Sequence, residues 1–351
     1  MVLQVKYFFL SSIFLLCLFL SLSLFIGPVK ISFYQIIEII LSKLYLVGNE
    51  VTFNQIQENV LINIRLPRII LALLVGVGLG TAGAMLQGLF RNPLIDPGFI
   101  GVSSGAAVGA MVGIMFVNTI LLFVTFIEIN IILPLLSILG SFLTTILVFN
   151  ISKVLGKTNI MAMLLTGIAI NALSGSIIGF FVSISSDAEL RSFTFWTLGG
   201  LDKAGWSVIA LLIFFIVLPL FISLKLRTQL DIFMLGDAEA SHLGVNVEKL
   251  KKIIIVLSSI MVGISVAFCG MIGFVGLVTP HLVRLFIGPK HKYLLPGSAI
   301  LGAILLIFSD LISRTIIAPA QLPIGVVTSA IGSPFFIWLI VMQKKRLSYG
   351  E

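Results

Sequence analysis

The chain has 351 residues, 59% of them hydrophobic and 10% charged, with a net charge of +8 and a mean hydropathy of +1.20. A soluble domain carries about 25% charged residues, so this exterior cannot be covered against water and must face lipid; the class is a polytopic membrane protein. The positive balance does not indicate nucleic acid. The basic residues form no patch with interleaved aromatics and sit in short clusters between apolar runs, where the positive-inside rule places them.

Apolar runs long enough to cross a bilayer occur at about 8–27, 66–90, 99–126, 131–152, 160–184, 205–224, 251–270, 272–288, 293–313 and 322–342. The pattern predicts an all-α membrane protein of about ten transmembrane helices in a single transmembrane domain, 1–351. The opening run, after Lys6, is longer than a signal-peptide core and no small-x-small site follows it, so it reads as the first span. The eighth is short and carries Pro280, which predicts an irregular segment packed inside the bundle. With a cytoplasmic N-terminus, fifteen of the 22 Lys and Arg fall inside, which predicts both termini in the cytoplasm. Residues 28–65 then form an external segment and 227–252 an internal one. Ten spans divide into two halves of five, and an odd number per half makes any internal repeat inverted.

Glycine recurs every four residues at Gly101, Gly105, Gly109 and Gly113, and again at Gly76 and Gly80. Such faces let helix backbones approach closely in lipid. Gly78, Gly80 and Gly83 fit G-x-G-x-x-G but lie within a span, and Gly156-Lys157-Thr158 lacks the upstream glycine and strand of a phosphate loop. If ATP drives this protein, another chain binds it. Cys17 and Cys269 lie in apolar runs and His242, His281 and His291 are scattered, so neither a disulfide framework nor a metal site is expected.

The span centres carry no charge. Asp96, Glu128, Asp187, Glu189, Asp202 and Asp310 sit at ends and in loops, which counts against an ion-coupled carrier, where a midplane carboxylate is the norm. Three arginines run against the charge rule: Arg65 and Arg68, three apart in "RLPR", and Arg314 in "SDLISR", all at the outer ends of spans. They could anchor to headgroups or pair with Asp310, or they could dock an acidic external partner. Inside, Leu235 to Gly244 is short, helix-compatible and acidic, ends on a glycine and runs into Lys249–Lys252. It could be a bland linker, but a short helix presented to a soluble partner fits better.

Four segments carry a resemblance to a known family. "RLPRIILALLVGVGLGTAGAMLQGLFRNPLIDPGFIGVSSGAAVGA", "LGDAEASHLGV", "GMIGFVGLVTPHLVRLFIG" with "LLPGSAILGA", and "SDLISRTIIAPAQLPIGVVTSAIGSPFFIWL" resemble, in order, the FecCD-type permeases of ABC importers for ferric siderophores, haem and cobalamin. The resemblance implies a homodimer of ten-span subunits in the bacterial cytoplasmic membrane, two ATPase subunits and an extracytoplasmic substrate-binding protein. It implies no cofactor on this chain, with ATP held by the partner subunit, and no bond chemistry. It assigns binding-protein docking to Arg65, Arg68 and Arg314, and ATPase coupling to Asp237, Ala238, Glu239, Ala240, Leu243 and Gly244. It also assigns a cytoplasmic gate to Asn92, Leu94 and Asn159. The fifth and tenth spans line the path in this family, which nominates Asn171, Ser174, Thr328 and Ser329; helix–helix hydrogen bonding is the competing role for each. The external stretch "SSDAELRSFTFWTLGGLDKAGW" is similar to that of haem and cobalamin permeases.

Overall fold

The structure, a computed structural model, describes residues 2–43, 51–123 and 129–348. Glu128, the end of the third predicted span, part of the external segment and the last three residues lie outside the described residues. In chain order the elements are α1 (Val2–Phe25), α2 (Phe33–Lys43), and α3 (Gln55–Asn59), which runs through a π-helical stretch Val60–Arg65 into α4 (Leu66–Leu89). A 3-10 turn Pro97–Ile100 precedes α5 (Val102–Phe123) and α6 (Ile129–Ile151). The hairpin β1 (Lys153–Val154) and β2 (Lys157–Thr158) leads to α7 (Ile160–Ile184) and α8 (Asp187–Leu198). Then follow α9 (Trp206–Lys225), α10 (Arg227–Phe233), α11 (Asp237–His242), α12 (Val247–Cys269), α13 (Val275–Ile287), α14 (His291–Thr315) and α15 (Ile324–Ser348).

Among the described residues, α1, α4 to α7, α9 and α12 to α15 correspond to the ten predicted spans. Eight carry a long apolar stretch, and the other two, α5 and α13, carry shorter ones. The 13 residues of α13 rise only about 20 Å, short of the roughly 30 Å hydrocarbon core. The chain enters it through Gly270 and Phe274, both at positive φ, and its first seven residues are all buried. The short eighth span is thus packed within the bundle, as Pro280 suggested.

Burial divides the spans. The most apolar window of α4 is 83% buried, against 11% for α7. The inner helices α4, α12 and α14 are therefore surrounded by protein, while α1, α7, α9 and α15 present open faces. The two halves repeat a packing pattern: α5 packs on α6 and α7 as α13 packs on α14 and α15, and α6 meets α7 as α14 meets α15. The helices α4 and α12, second in each half, pack on each other at the centre.

Glycine explains how closely these helices sit. A Cβ on Gly105 would lie 2.3 Å from the Gly140 carbonyl oxygen, and one on Gly140 would lie 2.2 Å from that of Gly105, so α5 and α6 touch backbone to backbone. Gly101 departs from the predicted stripe. It takes φ +81° at the end of the 3-10 turn, a conformation glycine adopts freely, and it serves as the hinge that starts α5.

The external segment forms a small cap. Ile31, Ile36, Ile39 and Leu61 make a second apolar cluster, and the buried Glu38 accepts the Thr52 amide at 3.0 Å. The π-helical stretch has a local cause. Pro67 has no N–H and its ring would clash with the carbonyl four residues back, and the wide turn just before it, with Leu66 N–H donating to Leu61, accommodates that. Gly156, set aside as a phosphate-loop mimic, is a turn residue: Leu155 (φ +51°) and Gly156 (φ +78°) form the two-residue loop of the hairpin.

Candidate functional site

Two charged clusters lie at opposite ends of α4. Its 24 residues separate them by about 36 Å.

The first joins the three outlying arginines. Arg68 Nε donates to Asp310 Oδ1 at 2.7 Å, and Arg68 Nη1 to Gln321 Oε1 at 2.6 Å. Arg314, one helical turn beyond Asp310 on α14, places Nε 2.9 Å from Asp310 Oδ2, an ion pair at an angle too poor for a hydrogen bond. Arg314 Nη2 reaches Ser23 Oγ at 2.6 Å, and Arg65 donates to the carbonyls of Leu24 (2.8 Å) and Val29. Since α1 ends at Phe25, the carbonyls near residues 23 and 24 are among the orphans of a helix C-terminus, where cations are favoured.

These arginines therefore do not stand free in solvent. Arg65, Arg68 and Arg314 are 3%, 7% and 5% exposed and Asp310 is fully buried. The pairing with Asp310 holds for two of them, and the third ties α1 to α4. Among the described residues, three cations stand against one carboxylate, which leaves the cluster with excess positive charge. A crevice of about 940 Å³ opens beside it, lined by Arg68, Phe195, Trp196, Asp202, Lys203 and Gln321 among others. One wall is α8, which a capping box from Ser186 to Glu189 starts.

The second cluster surrounds α11. Gly236 (φ +129°) and Gly244 (φ +83°) bound this six-residue helix. Ala240 is buried against the bundle, while Ala238, Glu239, Leu243 and Gly244 are exposed. Asp237 Oδ1 accepts Arg91 Nη2 at 2.6 Å, and its Oδ2 lies 2.8 Å from Lys251 Nζ. Burial pushes the Asp237 carboxyl up, but hydrogen bonds from Lys251 and Arg91 and their charges outweigh it and hold it below the ordinary carboxylate range.

The nominated gate residues lie beside this cluster. Asn92 Oδ1 accepts the Leu94 amide at 2.9 Å, closing a turn, and Leu94 is exposed. Asn159 caps α7, its Oδ1 accepting the Ala162 amide at 3.0 Å. The nominated lining residues mostly turn inward. Asn171 accepts from Ser104 Oγ (2.7 Å) and donates to the Gly98 carbonyl (3.2 Å). Ser174 and Thr328 are buried, and Ser329 is half-buried. For Asn171 the interhelical bond is the observed role. The exposed face of α7 holds Gly175, Ser176 and Gly179 instead.

Sequence inspection missed Arg91, Glu248, Lys251 and Thr158 as members of the second cluster. The only signal was the i, i+3 spacing of Glu248 and Lys251, which reads equally well as a solvated helix start.

The FecCD transport family profile matches residues 13–342, nearly the whole described bundle. The chain belongs to the FecCD transport family. Among this permease's relatives, the hemin transport system permease protein HmuU of Yersinia pestis is 42% identical over 303 residues, covering 84% of this chain and 87% of that one. The vitamin B12 import system permease protein BtuC of Vibrio vulnificus is 37% identical, covering 86% and 91%. The Fe(3+) dicitrate transport system permease protein FecD of Escherichia coli K12 is 37% identical, covering 81% and 86%. A solved metal-chelate type ABC transporter in an inward-facing conformation superposes with a TM-score of 0.81 at 33% identity, covering 96% of this chain and 99% of that one. This FecCD chain is thus a multi-pass permease, a transport component of an ABC importer.

Proposed function

We propose that this permease moves an iron chelate, haem or a ferric siderophore, inward across the bacterial cytoplasmic membrane by alternating access. ATP would be hydrolysed on a separate cassette subunit, and this chain would hold no cofactor. The observation that carries the ATP-driven class is α11: a short helix fixed between two glycines, locked to the bundle through Asp237 and exposed along its outer side. Met234, Leu235 and Leu243 around it are 44%, 63% and 60% exposed, an apolar face suited to a cytoplasmic cassette. The hemin and ferric dicitrate relatives support the chelate. Cobalamin is the second reading, favoured by the BtuC relative.

In this account both termini are cytoplasmic and the arginine cluster faces out. Its excess positive charge and the crevice reached by Arg68 suit an acidic substrate-binding protein, with Arg65 and Arg314 holding the frame behind it. A second copy would pack along α7, where Gly175 and Gly179 meet nothing within 4 Å, and the path would run between the two α7 and α15 faces. Asn92, Leu94 and Asn159 would close it at the cytoplasmic end.

The energy source tests the class. Cells lacking the permease and given this chain with its cassette and binding protein should regain uptake of radio-iron haem. That uptake should stop on ATP depletion and survive a protonophore. The opposite pattern would identify an ion-coupled carrier.

A further inference from the structure

Lys251 lies in the first turns of α12 and is 3% exposed. An ammonium has three N–H donors, and here each has an oxygen: Asp237 Oδ2 at 2.8 Å, Glu248 Oε1 at 3.1 Å and the Thr158 carbonyl at 2.9 Å. Those oxygens belong to three different elements, the exposed helix α11, the start of α12 and the end of the hairpin. Glu248 doubles the link to the hairpin, since its Oε2 accepts the Thr158 amide at 2.9 Å. Asp237 makes a second connection through its other oxygen, to Arg91, which follows α4.

Arg91 is held just as specifically. It occupies the left-handed region at φ +50°, where glycine is usual after a helix C-terminus and a side chain is disfavoured. Its guanidinium donates to the Phe233 carbonyl at 3.1 and 2.7 Å and sits 4.1 Å over the Phe233 ring. The residue after Arg91 is Asn92 and the residue after Thr158 is Asn159. One carboxylate, Asp237, thus holds both loops that carry the gate residues, each through a single cation.

We propose that Lys251 and Arg91 are positioning residues that tie α11 to the two gate loops, so that a displacement of α11 by the cassette moves the hairpin and the 91–96 loop together. The proposal rests on the importer reading given above. Energetic coupling between sites travels through discrete networks of this kind, and their mutation changes coupling rather than folding alone. The tip of the hairpin is open: Leu155 is 99% exposed, and a Cβ on Gly156 would meet nothing within 4 Å.

The test uses the assembled permease, cassette and binding protein in liposomes, with haem-loaded binding protein as the probe. In Lys251→Met the ATP consumed per haem imported should rise roughly tenfold, with Lys251→Arg recovering most of the loss and the exposed neighbour Lys249→Met changing nothing. A second readout is structural. With Cys17→Ser removing the exposed thiol, labelling of Leu155→Cys by an impermeant maleimide should depend on nucleotide, and that dependence should vanish with Lys251→Met. If Lys251→Met does not assemble, Glu248→Ala, which removes the acceptor of the Thr158 amide and one of the three oxygens around Lys251, should show the same two changes. An unchanged ATP-to-haem ratio together with nucleotide-dependent labelling in the variant would overturn the relay while leaving the importer intact. A wild-type complex that imports nothing on ATP would overturn the importer reading, and the relay with it.

Discussion

Asp310→Ala should destabilise the permease severely. Asp310 is fully buried and, among the described residues, is the single carboxylate paired with Arg68 and Arg314, themselves 7% and 5% exposed. Removing one member of a buried ion pair costs about 3–5 kcal/mol, because the remaining charge keeps its desolvation penalty without its partner. Here two guanidiniums lose their carboxylate at once, keeping only the neutral partners Gln321 and Ser23, at the junction of α4, α14 and the end of α1. Whole-protein stability is typically only about 5–15 kcal/mol, so the loss takes up much of it. Thermal unfolding in detergent measures it, with the exposed Asp202→Ala as the control. An unchanged melting temperature for Asp310→Ala would mean that the arginines find solvent, and that the buried cluster is not a structural unit.

Gly76→Leu should be nearly as damaging, for a steric reason. A Cβ on Gly76 would lie 2.3 Å from the Gly302 carbonyl oxygen and 2.7 Å from the Ala303 Cα, while a Cβ on Gly302 would lie 2.1 Å from the Gly76 oxygen. The obstacles are backbone atoms, which cannot rotate aside. Overpacking a core costs about 1–3 kcal/mol and occasionally more; parting α4 from α14 belongs at the upper end, because α4 is the most enclosed helix of the bundle. Gly78→Ala on the same helix is the comparison. Its nearest neighbour is the Ile216 side chain at 3.3 Å, which can shift, so its cost should stay within about 1 kcal/mol. Equal yields and melting temperatures for Gly76→Leu and Gly78→Ala would contradict the close approach.

The spans were legible because lipid admits few solutions: helices must satisfy their own backbone and show apolar length. Among the described residues, a helix stands where hydropathy placed each of the ten, and Pro280 correctly marked the short one. The glycine period marked a close-packing face on the third span without naming its partner α6, and it could not separate Gly105, buried against a neighbouring backbone, from Gly101, a left-handed turn residue at the same spacing. The charged sites were legible as residues and not as geometry. Arg65, Arg68 and Arg314 stood out by breaking the positive-inside rule, yet whether each faces water or a helix end depends on where α1 stops, far away in sequence. Likewise, Lys251 looked like one of a run of basic residues. Its burial against Thr158, 93 residues earlier, arises only when the hairpin folds back on α12.

The most direct test of ATP-driven chelate import is the ATPase rate of the permease–cassette complex in liposomes, with empty and with haem- or siderophore-loaded binding protein. The expected result is stimulation by a loaded binding protein, together with accumulation of that chelate inside the liposomes. No stimulation and no accumulation with either chelate, in a complex that remains assembled and hydrolyses ATP, would contradict it.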